Sequence, residues 1–264
     1  MLRLFKALPL TLAVAALIVL ATFAAGCGSS NSQARFVNAI SDDTQSLDIE
    51  FNGTKRFGGV GPFSASGSTY VSVPTGSDKI QGFASGSTTN PVFTITSPVS
   101  LNSGSQYTVV ATGLLAGTVN LVSPVDTNKA PANGTVNFRV INASPGQPGA
   151  VDAYIIQNIA QGTPSCTPSS TCLPTISNVS SPLSSITPFS GYVPVPFNSL
   201  GSFGYTLFVT PTGSTIPLPG WNGGFPIPEI GSVSTGSIRT IVLVDNAGGN
   251  TGMSSTPILL SDLN

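Results

Sequence analysis

The sequence predicts an all-β protein built from two tandem immunoglobulin-like β-sandwich domains, and three observations predict it. Short runs in which apolar and polar residues alternate recur along the chain, separated by Ser, Pro (22 in all) and Gly (29 in all). Outside one apolar run at the N-terminus, no stretch has helical periodicity of useful length. Blocks of the first half recur in the second half, which indicates an internal duplication.

The N-terminal segment, residues 1–26, is predicted to be an export signal. It begins with the basic "MLRLFK", continues with the apolar "ALPLTLAVAALIVLATFAA" and ends on small residues directly before Cys27. This ending resembles the bacterial lipobox, which implies that Cys27 is acylated and that residues 27–34 form a lipidated tether. An uncleaved membrane helix is the alternative, because about 20 apolar residues can cross a bilayer. Both place the rest of the chain outside the cytoplasm. Gly28, instead of Asp, favours the outer membrane if the host has two membranes.

The cysteine count agrees with an exported protein. Three cysteines are an odd number for an oxidising compartment, and assigning Cys27 to lipid leaves Cys166 and Cys172. These two lie in "SCTPSSTC", close enough to close a small disulfide loop. The loop entropy of so short a closure contributes only about 2 kcal/mol, so the disulfide would stiffen one local excursion.

Three pairs of sequence blocks define the duplication. "RFVNAISDDTQSLDIEF" from Arg35 aligns with "RVINASPGQPGAVDAYI" from Arg139 at an offset of 104. "YVSVP" from Tyr70 matches "YVPVP" from Tyr192 at 122, and "LNSGSQYTVV" matches "VSTGSIRTIV" at 132. The offset grows by 18 between the first two pairs, so the second copy carries an insertion that contains both later cysteines. The predicted order is a first sandwich at residues 35–123, a linker at 124–134, and a second sandwich with the insertion at 135–264.

One strand of each copy shows the period-two pattern of a half-buried strand. "SLDIEF" and "AVDAYI" alternate apolar and polar residues. The predicted inward residues are Leu47, Ile49 and Phe51 in the first copy and Val151, Ala153 and Ile155 in the second. Asn52-Gly53 is a strong hairpin signal. About seven strands in ~90 residues favour an immunoglobulin-like sandwich over a parallel sheet, with a jelly roll or an open barrel as alternatives.

The start of the second copy resembles a bacterial extracytoplasmic family, the domain of unknown function 4397. Members of that family typically begin with an Arg, an "[NH]ASP" turn and a "VD.Y" strand. The residues that carry the resemblance are Arg139, Asn142, Ala143, Ser144, Pro145, Val151, Asp152 and Tyr154. The first copy has Ile40 in place of the Ser and Glu50 in place of the Tyr, so it is assigned by pairing with the second. The resemblance implies a β-sandwich on a cell envelope and no established activity.

Composition and charge exclude several function classes. The chain has no His, which removes Ser-His-Asp catalysis and His-ligated metals. Charged residues make up 7% of the chain, without a basic patch for nucleic acid. We therefore predict no enzyme, no cofactor and no metal site. Asp48 with Glu50, about 7 Å apart on one strand face, is the catalytic alternative, but the second copy has Tyr154 in place of Glu50, and a solvated face explains the pair without any reaction. Asp42-Asp43 and Asp245-Asn246 are interpreted as solvated turns instead of Ca²⁺ ligands.

The recurring charged residues are interpreted as structural pairs. Arg35 and Asp48, like Arg139 and Asp152, lie on consecutive predicted strands, so each pair is expected to meet across a sheet. An exposed ion pair contributes about 0–1 kcal/mol, so such pairs would set strand pairing more than stability. A repeated ligand contact is the alternative.

Two aromatic residues are candidates for ligand binding. Trp221 and Phe225 lie in the Gly- and Pro-rich "GWNGGFPIPE", and aromatic faces can stack on sugars. The alternative is that Trp221 fills or caps the sandwich core. The predicted function is a lipid-anchored cell-envelope protein acting as a structural or interaction module, held at the membrane by its anchor. The alternative function is a carbohydrate-binding or adhesion protein, whose partner would be an envelope protein or polysaccharide.

Overall fold

The structure is a computed structural model in which one long stretch and several shorter ones are described. The described residues are 31–77, 79–97, 99–147, 149–160, 163–164, 175–179, 188–197, 204–227, 235–248 and 252–262. The predicted signal peptide and the cysteines Cys27, Cys166 and Cys172 lie outside them. Within these ranges the chain is all-β, as predicted, and none of its elements is a helix that could span a membrane.

The first repeat forms two sheets. Its strands are β1 (Asn31–Ile40), β2 (Leu47–Phe51), β3 (Thr54–Val60), β4 (Ser64–Ala65), β5 (Val71–Pro74), β6 (Ile80–Ala84), β7 (Phe93–Ile95), β8 (Gln106–Gly113), β9 (Val119–Val122) and β10 (Val125–Asp126). One sheet has the order β10-β8-β1-β4, with β5 also on β1 and β9 on β8. The other has the order β3-β2-β6-β7.

The second repeat forms the same two kinds of sheet. Its strands are β11 (Thr135–Ala143), β12 (Val151–Ala160), β13 (Thr163–Pro164), β14 (Thr175–Val179), β15 (Val193–Pro196), β16 (Tyr205–Pro211), β17 (Phe225–Ile227), β18 (Ile238–Val244) and β19 (Ile258–Ser261). The sheet orders are β15-β11-β18-β19 and β13-β12-β16-β17, with β14 on β12. In each repeat the first strand runs parallel to a late strand, β1 to β8 and β11 to β18.

Each repeat has its own apolar core between its two sheets. All six residues predicted to point inward are buried there, those of β2 in the first core and those of β12 in the second. The predicted hairpin is also present, because β2 and β3 are joined by Asn52 and Gly53 with φ of 49° and 75°. Positive φ at both central residues is the geometry that makes Asn-Gly favourable.

The first strands β1 and β11 are buried on both faces. One set of alternating residues on β1, such as Phe36, faces the core of its own sandwich, and the other set, such as Val37, packs in a different cluster. Two of the predicted domain boundaries differ from the ends of the strands in the structure. Residues 31–34 of the predicted tether begin β1, and the predicted linker 124–134 begins with β10, whose Asp126 is buried.

Candidate functional site

The repeated arginines lie at equivalent places in the two repeats and are both fully buried. Arg35 on β1 is in register with Thr108 on β8, and its Nε donates to Thr108 Oγ1 at 2.9 Å. Arg139 on β11 is in register with Thr240 on β18, and its Nε donates to Thr240 Oγ1 at 3.2 Å. Each guanidinium is therefore first anchored within its own repeat.

Both guanidinium groups then reach a carboxylate of the opposite repeat. Arg35 Nη2 forms a short ion pair with Asp262, the residue after β19, and its Nη1 donates to the carbonyl of the residue before it at 2.9 Å. Arg139 Nη2 donates to Asp126 on β10 at 2.5 Å, and its Nη1 donates to the preceding carbonyl at 3.1 Å. Each repeat thus gives an arginine and receives one, which is the pattern of an isologous two-fold contact.

The carboxylate of Asp126 is held by side chains of both repeats. Its Oδ1 accepts from Arg139, while its Oδ2 accepts from the hydroxyls of Tyr70 at 2.6 Å and Thr108 at 2.7 Å. A buried carboxylate needs several donors to replace its lost hydration. Here one donor crosses from the second repeat and two come from the first.

Asp262 has the same environment with the repeats exchanged. Its Oδ1 accepts from Arg35 of the first repeat, and its Oδ2 accepts from the hydroxyls of Tyr192 at 2.9 Å and Thr240 at 2.8 Å. The two halves of this network, which we call the joint, therefore contain the same four residue types: Arg, Asp, Thr and Tyr. Two positive and two negative charges balance inside it.

The tyrosine rings of the joint also stack on its arginines. Arg35 Cζ lies 5.5 Å from the ring centroid of Tyr70, and Arg139 Cζ lies 4.6 Å from that of Tyr192. Burial raises the pKa of both tyrosines, so their hydroxyls stay protonated and donate. Burial by itself lowers the pKa of Arg35, but Asp262, Tyr70 and Asp126 together outweigh it and the pKa is raised.

An apolar cluster continues the joint between the repeats. Its buried members are Val37, Ala39, Val110 and Val122 from the first repeat and Ile141, Ala143, Val242, Val244 and Leu260 from the second. Thr112 Oγ1 donates to the Ala143 carbonyl at 2.5 Å, and the Gly248 amide donates to the Ser41 carbonyl at 2.8 Å. The two sandwiches are thus packed against each other as well as ion-paired.

The predicted ion pairs Arg35–Asp48 and Arg139–Asp152 are not formed. The two strands of each predicted pair lie in different sheets: β1 pairs with β8, whereas β2 pairs with β3 and β6. In the second repeat β11 pairs with β18 and β12 with β16. The expectation is wrong because β1 and β2, and likewise β11 and β12, are consecutive in the chain but lie in different sheets.

The repeated aspartates instead hold turns of their own sheets. Asp48 Oδ2 accepts from Lys55 Nζ at 2.6 Å and from the Gly86 amide at 3.1 Å. These hydrogen bonds, that of Lys55 foremost, outweigh burial and hold the pKa of Asp48 at about 2. Asp152 accepts from the Gly213 amide at 2.9 Å, and Gly213 follows β16 as Gly86 follows β6. Since Asp48 is buried and bonded, the expectation that it lies on a solvated strand face is wrong.

The aromatic candidates lie against the core of the second sandwich. Trp221 is 0% exposed and belongs to the same apolar cluster as Leu218 and Met253. Phe225 begins β17, is partly buried and packs against that cluster. Stacking on a sugar needs an exposed ring face. The proposed role of Trp221 as a stacking platform is therefore corrected to that of a core residue.

The acidic turns are occupied by donors of the protein itself. Asp42 accepts from two backbone amides of the turn before β9, at 2.6 and 2.9 Å. Asp43 accepts from Asn38 Nδ2 at 2.7 Å. Asp245 is bonded by the Ser144 hydroxyl, and burial raises the pKa of this carboxylate. Across the described ranges no group of three metal-ligating side chains is present.

Sequence reasoning found most residues of the joint without finding its role. Tyr70 and Tyr192 begin one pair of repeated blocks, and Thr108 and Thr240 lie within another. Asp126 was placed in a linker, and Asp262 lies outside the blocks. The missed signal is that apolar residues stand at consecutive positions in β1 (Phe36 and Val37) and in β11 (Val140 and Ile141) instead of alternating, which is typical of strands buried on both faces.

The chain was compared with known protein families and with curated proteins. A family described as a domain of unknown function (DUF4397) matches residues 32–154, from β1 of the first repeat to β12 of the second. The matched stretch contains Arg35, Asp126 and Arg139 of the joint. The curated proteins gave no match. Residues 32–154 of this chain therefore match the DUF4397 family, and the "ASP" turn and the "VD.Y" strand that suggested the resemblance lie within the matched stretch.

Proposed function

We propose that this chain is a lipid-anchored cell-envelope protein that acts as a structural or interaction module and has no catalytic activity. The reciprocal joint carries the proposal, because the charged residues that recur in both halves are used to hold the two sandwiches together. Asp48, the best catalytic candidate, is bonded to Lys55 and to backbone amides. These contacts account for the recurring ionisable groups without any reaction.

The joint supports a mechanical or scaffolding role. Separating the sandwiches would expose the apolar cluster between them and leave buried charges without partners, and losing one partner of such a pair costs about 3–5 kcal/mol. Loops at the two ends of the molecule are thus held in a fixed relation to each other. A pair of sandwiches joined in this way is suited to present a binding surface at a constant position.

The anchor is proposed from the sequence before the first strand. An export signal that ends on small residues, and an odd number of cysteines, support acylation of Cys27 with palmitate or a similar chain. Since β1 begins at Asn31, the chain from Cys27 to the first strand can span at most about 14 Å. We therefore propose that the first sandwich lies close to the surface of the membrane that holds the anchor. This is the outer membrane if the host has two membranes.

Metabolic labelling with an alkyne analogue of palmitate tests the anchor. The wild-type chain and the matched control Cys166→Ser are expected to carry the label and to fractionate with membranes. Cys27→Ser is expected to lose the label. If Cys27→Ser still fractionates with membranes at full precursor mass, the uncleaved helix is correct and the lipid anchor is not.

The absence of catalysis is tested with the two carboxylates that share a strand. The full-length chain in detergent is incubated with a panel of p-nitrophenyl glycosides, together with the variant Glu50→Gln. No release of nitrophenol above background is expected from either protein. Turnover by the wild type that disappears in Glu50→Gln would overturn the proposal.

A further inference from the structure

A cleft of about 440 Å³ opens on one side of the first sandwich. It lies between β7, at the edge of one sheet, and β9, at the edge of the other. Its volume is within the range of about 300–1,000 Å³ that is typical of small-molecule sites. None of the eight residues of the joint lines the cleft, so the cleft is separate from it.

The lining of the cleft combines neutral polar groups with apolar ones. Hydroxyl and amide side chains come from Thr94, Thr96, Ser100, Thr118 and Asn120, and apolar surface comes from side chains of the same strands, including Ile95 and Leu121. Every residue that lines the cleft is uncharged. A charged ligand would lose hydration there without gaining an ionic partner, which is unfavourable.

Asn120 supplies a second observation. Its Nδ2 is a buried donor without a hydrogen-bond partner among the described residues, although the side chain lines the cleft. Unsatisfied buried donors are rare because they are costly, and they call for an explanation. If the Asn120 side chain rotates towards the cleft that it lines, an acceptor oxygen on a bound molecule would satisfy this amide.

The walls of the cleft are held in place by the backbone. The Val99 amide donates to the Ser77 carbonyl at 3.0 Å, which fixes the wall that follows β7. On the other wall, Gly113 has a φ of +110°, and a Cβ there would lie 2.1 Å from the Thr118 carbonyl oxygen. Glycine therefore allows the close turn that brings Thr118 to the start of β9.

In the second sandwich, a loop lies against the strand that corresponds to β9. β19 pairs with β18 as β9 pairs with β8, so Ser255, three residues before Ile258, corresponds to Val119, three before Val122. A Cβ on Gly220 would lie 3.5 Å from Ser255 Cβ, which places the loop of buried Trp221 against this side.

We propose that the cleft of the first sandwich binds a neutral saccharide. Sugars present hydroxyl groups that pair with Thr, Ser and Asn side chains, and C–H faces that pack on aliphatic ones. The residues that line the cleft supply both kinds of surface. This binding site goes beyond the scaffolding role, which does not depend on it.

Isothermal titration calorimetry of the full-length chain in detergent tests the proposal, with maltotriose, cellotriose, xylotriose and chitotriose as probes. At least one is expected to bind with a Kd of about 1 mM or below. Thr96→Trp places a large side chain in the cleft and is expected to weaken that binding about tenfold or more. Thr88→Trp is the matched control, because Thr88 is exposed and does not line the cleft, and it should bind as the wild type does.

Asn120→Leu is a second test that keeps the volume of the side chain and removes its donor. It is expected to weaken binding about tenfold while the melting temperature changes little. If calorimetry detects no binding of any trisaccharide at a ligand concentration of about ten times the expected Kd, the proposal is wrong. Equal binding by the wild type and a folded Thr96→Trp, judged by unchanged circular dichroism, would also overturn it.

Discussion

The two repeats contact each other through the same residue types, but they differ at the sides of their sandwiches, away from the joint. At the joint, Arg35 and Arg139 make equivalent contacts to the opposite repeat. At the sides, the first sandwich keeps an open cleft and the second buries Trp221. A reciprocal joint fails if either half changes, whereas one side can change without the other. Differences between the repeats are thus where individual roles are to be sought.

Breaking the joint is expected to have the largest effect. Arg139→Met removes the cation that is hydrogen-bonded to buried Asp126 and leaves only Arg35 Nε, at 3.9 Å, so we expect the free energy of unfolding to fall by about 3–5 kcal/mol. Arg35→Met should cost a similar amount because its environment is equivalent. Urea unfolding monitored by circular dichroism measures both.

The control for the joint removes both partners of one pair. Arg139→Met with Asp126→Leu should be more stable than Arg139→Met alone, because no unpaired charge then remains. A loss below about 1 kcal/mol in both single arginine variants would show that the ion pairs do not hold the repeats together.

Removing Trp221 should be the next largest change and tests the contrast between the two sides. Trp221→Ala empties the core of the second sandwich at a fully buried position, and we expect a loss of about 3–5 kcal/mol. Ile216→Ala is the control, since Ile216 is 74% exposed and its truncation should change stability by less than about 0.5 kcal/mol. Emission of Trp221 in the wild type should be blue-shifted and unchanged by trisaccharides. Red-shifted emission would contradict the burial.

How far the sequence predicts this molecule depends on whether a feature is local. Asn52-Gly53 specifies its own hairpin, and the alternation of Leu47, Ile49 and Phe51 specifies which side faces the core, so both predictions are confirmed. The partner of Arg35 lies 227 residues away on the opposite repeat, and no local pattern encodes that distance. The duplicated blocks nevertheless contain the Arg, Tyr and Thr residues of the joint. A search for polar residues that recur in both copies would have found them.

The predictions that Trp221 is an exposed binding residue and that Asp48 is solvated failed because burial of a side chain depends on distant parts of the chain. Trp221 lies in a Gly- and Pro-rich loop, and loop composition does not tell whether a side chain turns outward or back into the core. The cleft is formed by two edge strands from different sheets, so it follows from strand order, which the alternation pattern leaves open. Asp48 was expected on a solvated face, but the turn after β6 covers it.

A smaller packing difference between the repeats gives a third prediction. Gly82 on β6 lies opposite Ile49, and the corresponding Val209 on β16 lies opposite Ala153, so the large and small residues are exchanged. A Cβ on Gly82 would lie 2.2 Å from the Phe93 ring. Gly82→Val should therefore cost about 1–3 kcal/mol through overpacking, measured by urea unfolding.

The matched control for Gly82 is an open glycine. Gly191 is exposed and a Cβ there meets nothing within 4 Å, so Gly191→Val should change stability by less than about 0.5 kcal/mol. If Gly82→Val is as stable as the wild type, Phe93 moves aside freely and the exchange of residue sizes does not specify the packing.

The smallest expected effect separates Asp48 from Asp152, because the hairpin of the first repeat adds Lys55 to the shared turn contact. The pKa of Asp48 is about 2 in the folded chain against an ordinary 3.8, so the folded state binds fewer protons between these values. The resulting stabilisation, about 1–2 kcal/mol, is present above about pH 4 and lost as the pH falls towards 2. Urea unfolding at pH 6 and pH 3 should show this loss in the wild type and a smaller one in Asp48→Asn and Lys55→Met. An equal loss in all three proteins would place the acid sensitivity on other carboxylates, and the Lys55 contact would then contribute nothing that distinguishes the two repeats.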